Sequence, residues 1–140
     1  MIKEFKGEYR FLSNFVDAPV ELDGVWYYTV EHAYQAAKTL DPIEREKVQI
    51  MDKPGDAKRF GKKLTLRADW EQVKLGIMLK LLRQKFSRLV FKEQLLETGD
   101  QELVEGNKWH DTFWGVCNGV GENHLGKLLM QVREELKSAL

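Results

Sequence analysis

The sequence of 140 residues is poor in the features that mark several common kinds of site. Its one cysteine, Cys117, cannot form an internal disulfide, and its three histidines are scattered without the spacing of metal ligands. Neither a Gly-rich phosphate loop nor a Gly-x-Ser-x-Gly motif is present. We therefore expect no metal, no cofactor and no nucleophilic serine.

Long apolar runs and a net charge are also missing. No segment has the length and hydrophobicity of a membrane span or of a signal-peptide core, which indicates a cytoplasmic protein without a membrane partner. The 22 lysines and arginines balance the 22 aspartates and glutamates, so bulk charge points neither to nucleic acid nor to an anionic membrane. Because no Ser-, Gly- or Pro-rich linker interrupts residues 1–140, they are predicted to form a single compact domain.

The sequence does contain a helix with two contrasting faces, between Thr29 and Leu40. At 3.6 residues per turn, Glu31, Gln35 and Lys38 form one polar line. The opposite face carries small or apolar residues: Ala33, Ala36, Ala37 and Leu40. Thr29 is a suitable N-cap, and the alanines allow another segment to pack closely and hold the polar line rigidly. Any surface helix also shows a polar line, so that alternative stays open.

Two phenylalanines near the start of the chain enclose two small polar residues. Ser13 and Asn14 stand between Phe11 and Phe15, in a predicted loop or strand end. The rings can stack on a heterocycle while the polar groups contact its edge, and anchoring of the rings in the core is the alternative.

Turn and cap signals place the other regular elements of the first half. Asp23-Gly24 divides residues 20–27 into the two short strands of a hairpin. Asp41-Pro42 predicts the start of a second helix, which runs to about Met51 and is stopped by Lys53-Pro54-Gly55.

Helical patterns dominate the second half. Residues 70–91 are apolar over more than half of the helical circumference, which predicts a central helix that is covered on most sides. Helical character continues through Leu95-Leu96, and residues 102–105 are interpreted as a short strand. Asn123 is the predicted N-cap of a last amphipathic helix, in which Gly126 leaves the N-terminus open to an anion.

Positive charge is concentrated in one stretch, residues 53–67, which holds six basic residues and one acidic residue. The basic residues are Lys53, Lys58, Arg59, Lys62, Lys63 and Arg67. Such a stretch can seat a phosphate monoester or a diphosphate, and a solvated basic face is the alternative. Gly61 lies within it and would allow a ligand or a backbone segment to approach closely.

Residues 109–115 combine aromatic and polar side chains more densely than an ordinary loop. Trp109 and Trp114 are two of the four tryptophans, and Asp111 lies between them. Indole rings can sandwich a flat base while the carboxylate is directed at the bond being cleaved. The alternative is that the indole rings plug one end of the core.

The order and spacing of these pieces resemble the YbiA-like, or NADAR, family over residues 11–133. The matching motifs are Ser13-Asn14-Phe15, Glu31-His-x-x-Gln35-x-x-Lys38, Ala57-Lys-x-x-Gly61, Arg67-x-Asp-Trp70, Met78, Lys85-Phe86, Trp114-Gly115 and Gly121-x-Asn123-x-Leu-Gly126-x-x-Leu-Met130-x-x-Arg133. The resemblance implies an α+β domain that is largely helical with a small β-sheet. It also implies hydrolysis of an N-glycosidic bond, either in a ribosylated pyrimidine intermediate of riboflavin synthesis or in ADP-ribosylated guanine.

The resemblance also implies roles for particular residues. Breaking an N-glycosidic bond builds positive charge on the sugar, so Glu31 and Asp111 are candidate catalytic carboxylates. Lys38 either binds phosphate or attacks the anomeric carbon as an amine. His32 lies off the polar line and is expected to be structural. The expected substrate contacts are Ser13, Asn14, Phe15, Gln35, Lys58, Arg59, Gly61, Arg67, Trp70, Trp109, Trp114, Gly115, Asn123 and Gly126.

Several functions therefore remain under consideration. The first is an N-glycosidase for a phosphoribosyl small molecule, and the second is a hydrolase that removes ADP-ribose from modified guanine. A non-catalytic module that binds ADP-ribose or a nucleotide is the third, although the carboxylates and Lys38 favour an enzyme. Net neutrality argues against a nucleic-acid-binding protein, so nucleic acid is expected only as a modified substrate. The sequence does not predict an oligomeric state.

Overall fold

The computed structural model describes all 140 residues and has the predicted α+β fold, with six α-helices and two sheets of two strands each. The chain forms two compact units: a central unit, Asn14–Lys85, and a terminal unit that consists of Met1–Ser13 and Phe86–Leu140. Neither boundary carries a linker, and the single domain expected for residues 1–140 stays a prediction. No helix is both long enough and apolar enough to cross a membrane.

A β-hairpin lies near the start of the central unit. The strand β1 (Val20–Leu22) pairs antiparallel with β2 (Val25–Tyr27). Asp23 and Gly24 connect the strands with positive φ values of 49° and 85°. Two consecutive positive φ values suit a tight hairpin turn, and aspartate and glycine tolerate them better than most residues. The predicted hairpin is confirmed.

The helix predicted at residues 29–40 forms α1 (Val30–Ala37), with Lys38 as its C-cap residue. Thr29 is the N-cap, because its hydroxyl accepts a hydrogen bond from the backbone N–H of His32 at 3.1 Å. The predicted cap is therefore confirmed, while the helix ends a few residues before the predicted position.

Burial decides between the two interpretations of the polar line on α1. All eight residues of the helix are buried, and Glu31 and Gln35 are only 7% and 4% exposed. A polar line on an ordinary surface helix would lie in solvent. The solvated-face alternative is therefore excluded for these two residues.

Two further helices follow α1. The helix α2 (Pro42–Gln49) begins as predicted, because Asp41 Oδ1 accepts a hydrogen bond from the Ile43 backbone N–H at 2.9 Å. Lys53-Pro54-Gly55 is predicted only to stop this helix, but it also begins α3 (Pro54–Phe60). Proline is favoured at the first position of a helix, where its missing N–H removes no hydrogen bond. The sequence analysis therefore misses a helix that carries part of the basic stretch.

The single long helix predicted for residues 70–91 is wrong in two respects. The chain forms α4 (Trp70–Lys85) and, after a break, α5 (Leu89–Glu97), with Arg88 in an extended conformation at the break. The helix α4 is also less covered than predicted, since Leu75 is 37% exposed. Periodicity does not reveal that the two parts of this apolar pattern belong to different compact units.

The terminal unit also holds a small parallel sheet and the last helix. The strand β3 (Gly106–Asn107) pairs with β4 (Val116–Cys117), and α6 (His124–Ser138) follows. The strand predicted at residues 102–105 is not formed, since Leu103 makes only an isolated bridge and the ladder begins at Gly106. Strands this short give little periodic signal, so their exact position is poorly encoded in the sequence.

His32 is fully buried in the central unit and holds two segments together. Its Nδ1 lies 2.7 Å from Thr29 Oγ1, and its Nε2 lies 2.8 Å from the Met51 carbonyl oxygen. A carbonyl can only accept, so Nε2 donates to Met51 and Nδ1 accepts from the Thr29 hydroxyl. Burial lowers the pKa of His32, although the hydrogen bond to Met51 opposes this shift. These contacts favour the predicted structural role.

Acid should destabilise the protein through His32. Because the folded-state pKa lies below the ordinary value of about 6.5, the unfolded chain binds the proton more readily. The stabilisation is therefore complete above about pH 6.5 and is lost as the pH falls towards the lower folded-state value. We expect His32→Gln to cost about 1–2 kcal/mol at pH 7.5 and clearly less at pH 5.5. Urea denaturation of both proteins at several pH values measures this difference, and a pH-independent difference would contradict the assignment.

Candidate active site

The candidate site in the central unit begins with the carboxylate of Glu31. Gln35, one turn further along α1, donates from Nε2 to Glu31 Oε1 at 2.8 Å. The backbone N–H of Glu31 donates to the Asn14 carbonyl at 3.2 Å. Glu31 lies in the first turn of the helix, where the helix dipole favours negative charge. The carboxylate is thus buried with a defined donor beside it.

Gly61 makes room for the Gln35 side chain. A Cβ atom at position 61 would overlap Oε1 and the carboxamide carbon of Gln35. The sequence analysis expects a ligand or a backbone segment to approach this glycine, whereas the side chain that does so belongs to α1. Gly61 therefore serves the packing of the polar line.

Two buried amide oxygens near Glu31 accept no hydrogen bond from the protein, Gln35 Oε1 and Asn14 Oδ1. The nitrogen of each amide is engaged, since Gln35 Nε2 donates to the carboxylate and Asn14 Nδ2 contacts Met78 Sδ at 3.6 Å. An unsatisfied buried acceptor costs about 1–3 kcal/mol, and native proteins keep few of them. Such groups call for an explanation beyond packing.

Lys38, at the C-cap of α1, continues the polar line. Its Nζ lies 5.5 Å from the centroid of the Tyr34 ring. Burial is the main cause that lowers the pKa of Lys38, and the charges of Lys58, Lys74 and Lys62 lower it further. The negative charge of Glu31 opposes this shift by raising the pKa.

The four residues Lys38, Lys58, Lys62 and Lys74 form what we call the lysine cluster. Lys58 Nζ also lies 5.9 Å from the centroid of the half-buried Phe15 ring. Lys74 pairs with Glu71 at 2.8 Å, and its side chain is 14% exposed. Positive charges that lie close enough to lower the pKa of Lys38 also favour a bound anion.

The basic stretch of residues 53–67 does not act as one surface. Lys58 and Lys62 influence Lys38, whereas the guanidinium of Arg59 pairs with Asp56 and its side chain is 73% exposed. Arg59 is thus solvated and paired, whereas Lys58 and Lys62 act on Lys38, and the contact of any of these residues with phosphate stays a prediction.

Arg67 is engaged by the protein itself. Its guanidinium binds both carboxylate oxygens of Asp69, at 2.6 and 3.1 Å, and its Nη1 lies 3.4 Å from the Ala37 carbonyl. The backbone N–H of Arg67 donates to the Lys38 carbonyl at 2.7 Å. These bonds tie the end of α1 to the segment before α4. Arg67 therefore holds the backbone of Lys38 in place, and its predicted contact with substrate stays a prediction.

Aromatic packing lies beneath the lysine cluster. The Trp70 ring, 5% exposed, packs against Tyr34 with centroids 5.2 Å apart and planes at 54°. Trp70 thus supports the ring that Lys38 covers. The sequence analysis overlooks Tyr34 and Lys74. The i, i+4 spacings from Tyr34 to Lys38 and from Trp70 to Lys74 could have revealed both.

In the terminal unit, Asp111 organises the aromatic segment. Its Oδ1 accepts hydrogen bonds from the backbone N–H groups of Phe113 and Trp114, at 3.2 and 2.9 Å. Asn107 binds the Asp111 backbone on both sides, at 3.1 and 2.9 Å. This pattern is typical of an aspartate that holds a turn. The expected catalytic role of Asp111 therefore competes with a clear structural one.

The two tryptophans of this segment have different environments. Trp109 is 51% exposed, so it does not plug the core as the alternative interpretation supposes. The Trp114 ring meets Phe113 edge-on with centroids 4.9 Å apart. Phe113 in turn packs on His124 at the start of α6, with centroids 4.5 Å apart.

The start of α6 is filled by the protein. Asn123 stands at the N-cap position with a φ of 53°, but its side chain binds the Leu103 carbonyl and the Glu105 N–H instead of capping the helix. A Cβ atom at Gly126 would overlap the Leu103 carbonyl and the Asn123 amide. The space beside Gly126 is thus occupied by the protein, and the predicted contact of Gly126 with an anion stays a prediction.

Gly115 and Ser13 also have structural surroundings in the terminal unit. A Cβ atom at Gly115 would overlap both the backbone and the carboxylate of Glu105. Ser13 ends a short 3-10 helix (Gly7–Leu12), where its N–H donates to the Arg10 carbonyl at 2.9 Å.

The structure thus collects more than half of the predicted site residues in the central unit. These are Asn14, Phe15, Glu31, Gln35, Lys38, Lys58, Arg59, Gly61, Arg67 and Trp70. The terminal unit contains Ser13, Trp109, Asp111, Trp114, Gly115, Asn123 and Gly126.

The fold and the central unit define an α+β protein in which a buried carboxylate, Glu31, shares a helix with Lys38 of the lysine cluster. The model of the NADAR domain matches residues 2–137. The chain is 41% identical over 133 residues to the N-glycosidase YbiA of Shigella flexneri, covering 92% of this chain and 82% of that relative. This chain belongs to the NADAR domain family.

Two other comparisons extend this result. The NMR structure of the Escherichia coli protein YbiA matches with a TM-score of 0.87 at 38% identity, covering 99% of this chain and 86% of that chain. A riboflavin biosynthesis protein of Vibrio vulnificus, VVA0006, is 37% identical over 131 residues, which are 91% of this chain and 35% of that relative.

Neighbouring cations on α3 provide a matched test of the lysine cluster. We expect Lys58→Glu to weaken binding of ribose 5-phosphate at least about tenfold, because a reversed charge in a partly buried cluster costs more than about 1.4 kcal/mol. Arg59→Glu should change the affinity less than about twofold, since an exposed ion pair contributes little. Calorimetric titration at low and high salt measures both. Equal losses from both variants would contradict the distinction between Lys58 and Arg59.

Proposed function

We propose that this chain is an N-glycosidase that hydrolyses the ribosyl-nitrogen bond of phosphoribosylated pyrimidine intermediates of riboflavin synthesis. The observation that carries the proposal is the polar line of α1, in which the buried Glu31 and Gln35 are followed by Lys38 of the lysine cluster. The relatives named N-glycosidase and riboflavin biosynthesis protein support the reaction and the substrate class.

Glu31 is the catalytic carboxylate in this proposal. As the bond from the anomeric carbon to nitrogen breaks, its electron pair leaves with the base and positive charge develops on the sugar. A carboxylate that is 7% exposed interacts with that charge more strongly than one in bulk water. Asp111 is the weaker candidate, because its Oδ1 already holds the turn of its own segment.

Lys38 is the amine that attacks the anomeric carbon. Its nitrogen bonds to that carbon, the base leaves with the electron pair and takes a proton, and the sugar ring opens to give an imine. Water then hydrolyses the imine, so that ribose 5-phosphate and the free amine are released. Burial and the neighbouring lysines lower the pKa of Lys38, which raises the fraction of neutral amine. Lys58, Lys62 and Lys74 remain to bind the phosphate.

The charge of the lysine cluster also suits a diphosphate. Removal of ADP-ribose from modified guanine is therefore the second candidate function. Both reactions break a ribosyl-nitrogen bond, so Glu31 and Lys38 would act in the same way in each.

Parallel assays separate the two candidate substrates. The protein is incubated with the phosphoribosylated intermediates and with ADP-ribosylated guanosine, and mass spectrometry follows the release of ribose 5-phosphate or ADP-ribose. We expect faster release from the riboflavin intermediates. Faster release of ADP-ribose would favour the second candidate, and no release from either substrate would contradict hydrolysis.

Glu31→Gln should fold and lose at least about a hundredfold in kcat, since a catalytic carboxylate commonly supplies that much. The loss of one charge at the helix start should cost at most about 1 kcal/mol of stability. Glu46→Gln, at an exposed position on α2, is the control and should retain full activity. Wild-type turnover of Glu31→Gln would assign the catalytic role to another residue.

Lys38 can be tested by trapping the imine. Borohydride added during turnover should leave a reduced sugar adduct that peptide mapping places on Lys38. Lys38→Arg should be inactive although it keeps the charge, because guanidinium is not a nucleophile at neutral pH. Lys58→Arg is the control and should remain active. If the Lys38→Arg enzyme is active and no adduct forms, Lys38 does not attack the sugar and only binds phosphate.

A further inference from the structure

Gln35 has an unusual position for a residue that is expected to contact substrate. Its Nε2 donates to Glu31 Oε1 at 2.8 Å, and the side chain is almost fully buried. Its Oε1 faces Gly61 and accepts no hydrogen bond from the protein. The orientation of the amide is fixed, because reversal would place its oxygen against the carboxylate. The Gln35 amide therefore donates to Glu31 although this orientation leaves its buried oxygen without a hydrogen bond.

Gly61 is the second part of this arrangement. It ends α3 and begins the short 3-10 turn Gly61–Lys63, which carries Lys62 of the lysine cluster. Any side chain at this position would expel the Gln35 amide from its place, since a Cβ atom would overlap both Oε1 and the carboxamide carbon. The φ of Gly61, −53°, is one that any residue adopts, so the backbone does not require glycine. Only the space for Gln35 requires it.

We propose that Gln35 and Gly61 are positioning residues, which together hold the Glu31 carboxylate in its reactive orientation, and that Gln35 does not bind the substrate. The expected changes in kcat rest on the proposed function. The expected change in the titration of Glu31 rests only on the hydrogen bond from Gln35. A hydrogen bond to a charged group favours the ionised carboxylate. Glu31 and Lys38 also interact through their charges.

A substitution at Gln35 separates its effect on activity from its effect on stability. Gln35→Met keeps the length of the side chain but removes both the donor to Glu31 and the unsatisfied buried oxygen. We expect a thermal midpoint close to that of the wild type, because the loss of the hydrogen bond and the removal of the unsatisfied acceptor act in opposite directions. We expect kcat to fall at least about tenfold, while KM changes less than about threefold. A substrate contact would instead raise KM.

Gly61→Ala tests the coupling between the two residues. In the wild-type background it should lower kcat as Gln35→Met does, because the added methyl group displaces the amide. In a Gln35→Ala background the same change should have almost no effect, since the space above Gly61 is then empty. Gly76→Ala is the matched control: position 76 lies on α4 with no atom near its Cβ, and activity should be unchanged.

A measurement without substrate keeps the inference independent of the proposed function. Carbon-detected NMR follows the titration of the Glu31 carboxyl, whose midpoint should move at least about half a pH unit higher in Gln35→Met and in Gly61→Ala. A wild-type midpoint in both variants, or an equal loss of kcat from Gly61→Ala in both backgrounds, would overturn the inference. Failure of the wild type to hydrolyse either substrate would contradict the proposed function alone.

Discussion

The candidate site depends on the burial of one short helix, α1, which carries Glu31 and Gln35. All eight residues of α1 are buried, and two of them are Glu31 and Gln35. A buried carboxylate must be stabilised by hydrogen bonds or opposite charge, so the protein surrounds it with the Gln35 amide, the helix N-terminus and the Lys38 ammonium. The same burial would strengthen the electrostatic interactions of a substrate bound at the proposed site.

The lysine cluster is a second unfavourable feature, because it holds several positive charges close together. Like charges repel, and the charges of Lys58, Lys62 and Lys74 lower the pKa of Lys38. Local contacts hold the cluster in place: Glu71 pairs with Lys74, Arg67 fastens the backbone of Lys38, and Trp70 supports the ring of Tyr34. Functional sites commonly reduce stability in this way. Under the proposed function, a bound phosphate would reduce this repulsion.

Local signals explain which parts of the fold could be predicted. The caps at Thr29 and Asp41 and the turn at Asp23-Gly24 depend on residues a few positions apart, and all three are confirmed. The break after Lys85 could not be predicted, because apolar residues on either side continue one helical pattern. The helix that begins at Pro54 was overlooked, since Lys53-Pro54-Gly55 is equally typical of a helix end.

The sequence by itself determined that Glu31, Gln35 and Lys38 share one face of a helix, because three- and four-residue spacings fix that geometry without any partner. It could not determine that this face is buried, since burial depends on what packs against it. Tertiary structure also decided which cations lie close enough to Lys38 to lower its pKa. Lys58 and Arg59 are neighbours in sequence, yet only Lys58 acts on Lys38, and Lys74 reaches the same group from another helix. The packing of α3 and α4 against α1 decides this, and counting charges along the chain does not reveal it.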